Sequence, residues 1–238
     1  MPRSALVPRV ARFLVALVAV AGCGGKLIHL GDGNDGGPCL HGQVSAAEIV
    51  WIGDSWIFMP GTQLTRVRDL ARTANAIGPN EDYVNASAAA TTMSAIAGQY
   101  SARESGATKV KVLLMDGGTW DTIVGNMQGG SVSNAAMTAA TAFDQLLTEI
   151  KSDGTVQHIV YYLTPELSGI PGVAILRPLV QASCQQSAVP CHFLDLQPLW
   201  AGHPEYTAQP GDTFASDAGG IVLGDAIWSI MQQGCIAQ

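Results

Sequence analysis

Charge is scarce in this chain of 238 residues: 13% are charged, and aromatics make up only 6%. Basic residues are scarcest, 12 against 19 acidic ones, for a formal charge of −7. So few cations oppose binding to nucleic acid or to an anionic membrane surface. Apolar runs are short as well. The run Phe13 to Val20 is too short to span a bilayer by itself. Cys-x-x-Cys spacing and clustered histidines are missing, which argues against a metal site, and no cofactor is expected. The sequence has no internal repeat. It is instead 47% apolar, rich in Ala and Gly, and long enough for one three-layer domain.

The first residues read as a leader. Arg3, Arg9 and Arg12 precede the apolar run, and small residues follow it, the three parts of a secretory signal over residues 1–22. Val20-Ala21-Gly22-Cys23 resembles the bacterial lipobox, which implies that Cys23 is diacylated on its sulfur and anchors the chain to a membrane. Gly24 after the cysteine leans towards the outer membrane of a two-membrane bacterium. The rival expectation is a secreted protein with Cys23 left as a thiol. Residues 23–44 form a tether rich in Gly and Asp. Without the leader the chain carries 9 basic against 19 acidic groups, a formal −10. The domain proper is expected over residues 45–238, as a monomer.

Beyond Cys23 the cysteines are Cys39, Cys184, Cys191 and Cys235, an even number suited to an oxidising compartment. Three pairings are possible. Cys184 and Cys191 flank a short polar loop and suit a local bridge, leaving Cys39 and Cys235 to join the ends of the domain.

From residue 48 onward, strand and helix patterns alternate. Glu48 to Ile52 is a β-branched apolar run that stops at Gly53-Asp54-Ser55, the mark of a buried parallel strand. Further strands are expected at Asp82 to Asn85, Lys109 to Met115, His158 to Leu163 and His192 to Leu196. Helices are expected near Gln63 to Ala76, Thr92 to Arg103, Ser133 to Lys151, Val173 to Cys184 and Ala218 to Met231, the last capped by Ser216. The segment through Gly129-Gly130 reads as loop. Such alternation predicts a flavodoxin-like three-layer α/β/α sandwich with a parallel five-stranded sheet in the order 2-1-3-4-5. Ligands in such sheets bind at the carboxyl ends of the strands, where Ser55 falls.

Three blocks at successive strand ends carry a family resemblance. Gly53-Asp54-Ser55-Trp56, Asn85 to Thr92, and Gly117-Gly118-Thr119-Trp120-Asp121 together resemble the SGNH (GDSL-type) hydrolases. The likeness implies ester hydrolysis or acyl transfer through a covalent acyl-enzyme, with a small ester or acylated glycan as substrate. It makes Ser55 the nucleophile and Asp212 the carboxylate that orients a histidine base. The oxyanion donors it implies are the Ser55 N–H, the Ser87 N–H and, where the family has Asn, Trp120. Ser87 and Ala90 replace two glycines of the second block. Ala215 stands where the family has its histidine, and loss of a triad base costs about 10⁴- to 10⁶-fold in rate. His203, in the loop before the last helix, is the candidate substitute base, held by Asp212 or Asp195, with a water as the other replacement. The alternative is a catalytically inactive relative that binds an acylated or sugar ligand.

Overall fold

A computed structural model describes residues 44–59, 61–167, 170–209 and 213–236. The leader, the tether, Cys23, Cys39 and Asp212 lie outside the described residues. The sheet begins with β1 (Ile49–Ile52), an uninterrupted apolar segment buried on both faces. β2 (Val84–Asn85), β3 (Val112–Met115), β4 (His158–Leu163) and β5 (Cys191–Asp195) complete five parallel strands in the order β2-β1-β3-β4-β5. Ile49 pairs with Val112, and Ile52 with Met115; Val112 in turn pairs with His158. This is the fold and strand order expected from the sequence.

Alternation along each strand sends successive side chains to opposite layers. Ile49, Trp51, Val112, Leu114, Val160 and Tyr162 face α2 (Thr62–Thr73) and α8 (Asp217–Gln233), which bring Val67, Ala71, Leu223, Ile227 and Met231. Val50, Ile52, Leu113, Met115, Ile159 and Tyr161 face α3 (Met93–Glu104), α5 (Val132–Asp153) and α6 (Val173–Gln186). In α5 the buried Ala136, Ala139, Ala140, Phe143, Leu146, Leu147 and Ile150 fall at helical spacing. Ser131 caps its start by accepting from the Asn134 amide, and Gly154 ends it in the left-handed conformation. Truncating Phe143 to alanine removes a ring packed at full burial, a change worth about 3–5 kcal/mol.

Three short helices depart from the sequence expectation, and each lies near the carboxyl ends of the strands. α1 (Ser55–Phe58) follows β1, α4 (Thr119–Met127) follows β3, and α7 (Gln197–Trp200) follows β5. α4 occupies part of a stretch read as loop because Gly125, Gly129 and Gly130 punctuate it. Tertiary packing makes it helical: a Cβ at Gly125 would stand 2.6 Å from the Ala135 Cβ, so glycine lets α4 approach α5 closely. The Cys184–Cys191 disulfide is present and ties α6 to the start of β5. Cys235 is also disulfide-bonded. Among the described residues, no helix is long and apolar enough to cross a membrane.

Candidate active site

β1 runs out at Gly53, and the chain must turn at once to start α1. Gly53 has φ +151°, and a Cβ there would fall 1.9 Å from Asp116 Oδ1. Only glycine fits. Gln99 of α3 brackets this residue, accepting from its amide at 2.7 Å and donating to its carbonyl at 3.0 Å. Asp54 then caps α1, its carboxylate accepting from the Trp56 amide at 3.1 Å. Ser55 is therefore the first residue of a helix at the carboxyl end of the second strand in from the sheet edge.

The loop after β2 runs alongside this turn. Ala86 donates to the Trp51 carbonyl at 2.8 Å and Ala88 to the Gly53 carbonyl at 3.2 Å, so sheet-like pairing carries the loop past the serine. The Ala90 N–H then donates to Ser55 Oγ at 2.8 Å. Ser87, the residue expected to supply this donor, has its amide on Asn85 Oδ1 at 3.0 Å. The second-block amide that reaches Ser55 is thus Ala90's and not Ser87's, a correction with a local cause. Asn85 captures Ser87 in a local turn, and Ala90, at φ +55°, turns its N–H towards Ser55.

Ser55 and Asp54 border a cavity of about 40 Å³, closed by Trp56, Thr119, Trp120, Ile123, Ile170, Thr213 and Phe214. Trp120 lies at this wall. Its backbone amide points to Asp54 Oδ2 at 3.4 Å, and the indole helps to wall the cavity. The segment before α8 reaches the same place: the Trp56 indole donates to the Thr213 carbonyl at 2.7 Å. Ala215 is buried beside it, held by a short antiparallel pairing with Thr207.

That pairing also lays the His203 loop next to Ala215, yet the structure does not join His203 to Ser55. The His203 Nδ1 lies 2.8 Å from Glu205 Oε1, and its ring stacks on Tyr206 at 4.5 Å between centroids. Asp195, the other expected partner of His203, accepts instead from Arg177 Nε at 3.1 Å and the Gln197 amide at 3.0 Å. Among the described residues, no imidazole is hydrogen-bonded to the Ser55 hydroxyl.

Carboxylates surround the turn, and sequence reasoning missed the most buried of them. Asp116 ends β3 with its side chain fully enclosed, and its Oδ1 accepts the Asp54 amide at 2.7 Å. Its Oδ2 has no hydrogen-bond partner among the described residues. Burial, reinforced by the Asp54 charge, holds the Asp116 carboxyl well above the usual range. Burial also raises Asp54, against the opposing pull of the Trp56 amide. Asp121 is pushed up to about 6, mainly by burial, although the Met93 amide donates to it at 2.9 Å. The signal available beforehand was an acid closing an otherwise wholly apolar strand. No group of three or more histidine, cysteine or carboxylate side chains suited to a metal is found among the described residues.

No profile of a known protein family matches the chain, and no curated protein matches it. Solved structures do. One is an acetyl xylan esterase with 10% identity and a TM-score of 0.61, spanning 76% of this chain and 98% of its own. A GDSL-like lipase from Parabacteroides merdae has 13% identity and a TM-score of 0.62, over 84% of this chain and 100% of its own. An acetylxylan esterase from Geobacillus stearothermophilus has 16% identity and a TM-score of 0.60, over 79% of this chain and 94% of its own. At these identities the likeness concerns the backbone, and it agrees with the strand order. The chain has the SGNH hydrolase fold.

Proposed function

We propose that the protein is a serine esterase of the SGNH type that removes small acyl groups from an ester or an acylated glycan. The observation that carries this reading is Ser55 itself, placed at a helix start, bordering a cavity, with the Ala90 amide on its Oγ. The Ser55 hydroxyl would attack the ester carbonyl, its proton passing to a base as the alkoxide leaves with a proton, and water would then release the acid from the acyl-enzyme. The Ala90 amide and the Ser55 amide would steady the oxyanion, with the Trp120 indole beside them. The cavity beside Ser55 is small, about 40 Å³, which favours a short acyl group over a long one. The base in this scheme is His203 turning from Glu205, oriented by Asp212. The Cys23 anchor would hold the enzyme at the outer membrane of a bacterial envelope.

A second reading rests on one observation: the Ser55 hydroxyl has no imidazole partner among the described residues, and Ala215 takes the expected histidine position. The protein would then keep its cleft as a binding site for an acylated or sugar ligand. Labelling with a fluorophosphonate probe, with Ser55→Ala as control, separates the two. Labelling that depends on Ser55 supports the esterase, and its absence supports the binding protein. If His203 is the base, His203→Ala slows hydrolysis of an aryl acetate by at least about 10²-fold, and equal rates would exclude it. Ala215→His is expected to raise the rate if the remaining site is competent.

A further inference from the structure

At the amino-terminal end of the sheet, away from Ser55, two histidines meet on neighbouring strands. His158 is the first residue of β4 and His192 the second of β5, and the register places His192 beside Val160. Both point to the same face of the sheet, because residues of equal parity share a face. Their rings lie 5.6 Å apart between centroids with a 34° tilt. His192 Nε2 and His158 Nδ1 face each other at 3.4 Å.

We propose that His158 and His192 form a two-imidazole chelate for a borderline divalent cation of the Zn²⁺, Ni²⁺ or Cu²⁺ class. The separation suits this chemistry. Two ligands of a tetrahedral zinc with Zn–N bonds of about 2.05 Å stand about 3.35 Å apart. That matches the observed distance with no movement of either strand. As a hydrogen bond, 3.4 Å is at the long limit. A bound cation would sit off the line between the two nitrogens, each ring carrying its proton on the outward nitrogen.

The surroundings favour binding. Both rings are half-buried, and burial holds both below the usual histidine range, His192 also through the neighbouring His158. The strands are firmly placed, since the Cys184–Cys191 disulfide clamps the residue before His192 to α6. The remaining coordination positions would be filled by water. Imidazole suits zinc, copper and nickel, whereas Mg²⁺ and Ca²⁺ demand oxygen ligands.

The proposal stands apart from the esterase reading, because it uses neither Ser55 nor its cavity. Its test is calorimetric titration of chelator-treated protein with Zn²⁺ at pH 7.5, compared with His158→Gln, His192→Gln and the double variant. One equivalent should bind with an affinity of about 100 μM or tighter, and each single variant should lose at least about tenfold. Nitrogen-15 spectra of the histidine rings in the unaltered protein provide a second readout: Zn²⁺ should shift His158 and His192 and leave His203 in place. Absence of binding below about 1 mM, unchanged affinity in both single variants, or a shift confined to other histidines would overturn it.

Discussion

The Ala90 amide donates to the Ser55 hydroxyl oxygen at 2.8 Å, and it does so from a left-handed residue, φ +55°. The donor to the nucleophile is thus held by a backbone conformation that a side chain disfavours. Where the related block carries glycine, this chain accepts strain to aim the same amide. Ala90→Gly should keep the donor and relieve the clash of Cβ with backbone, raising stability by about 0.5–1 kcal/mol after the entropy of the extra glycine is counted. Urea unfolding measures this. A fall in stability would mean that the alanine methyl contributes packing at this site.

The Gly53–Asp116 contact predicts the opposite kind of change. A methyl at position 53 would overlap Asp116 Oδ1 and approach Ile57 Cδ1 to 2.7 Å. Gly53→Ala should cost about 2–4 kcal/mol and displace the nucleophile turn. Fluorophosphonate labelling of Ser55 should then fall even at temperatures where circular dichroism reports a folded chain.

Asp116 makes stability depend on pH in a direction unlike that of most carboxylates. Its folded pKa lies above its unfolded value, so the folded state holds a proton that the unfolded chain has released. Its burden is absent below the unfolded range near 3.9 and grows as the pH rises towards the folded pKa. The buried acid pair should therefore destabilise the protein progressively as the pH rises from about 4 towards the folded pKa. Asp116→Asn keeps an oxygen for the Asp54 amide and needs no proton. Thermal melts from pH 5 to 8 should show the variant gaining on the unaltered protein as the pH rises, by about 2–4 °C for each kcal/mol. A difference that shrinks with rising pH would refute the assignment.

The local disulfide closes a loop with a sequence separation of 7 residues. Closing so short a loop removes little entropy from the unfolded chain, so replacing both Cys184 and Cys191 with serine should cost about 2–2.5 kcal/mol. The same change frees the start of β5. It should weaken Zn²⁺ binding by His158 and His192 while leaving Ser55 labelling in place.

The sequence by itself determined the sheet, its order and the location of the Gly-Asp-Ser turn. Those features rest on local signals: apolar runs of strand length, helical spacing in α5, a serine cap before α8, and Gly-Asp-Ser at the end of the first strand. Each acts within a few residues, so each is legible without the fold. The tertiary structure alone decided which amide reaches Ser55, that Asp116 lies buried against Gly53, and that α4 is a helix. The commitment of His203 to Glu205 and Tyr206, and the meeting of His158 with His192, were likewise settled in three dimensions. These are contacts between segments distant in the chain, and burial and strand register set them where propensity has no reach.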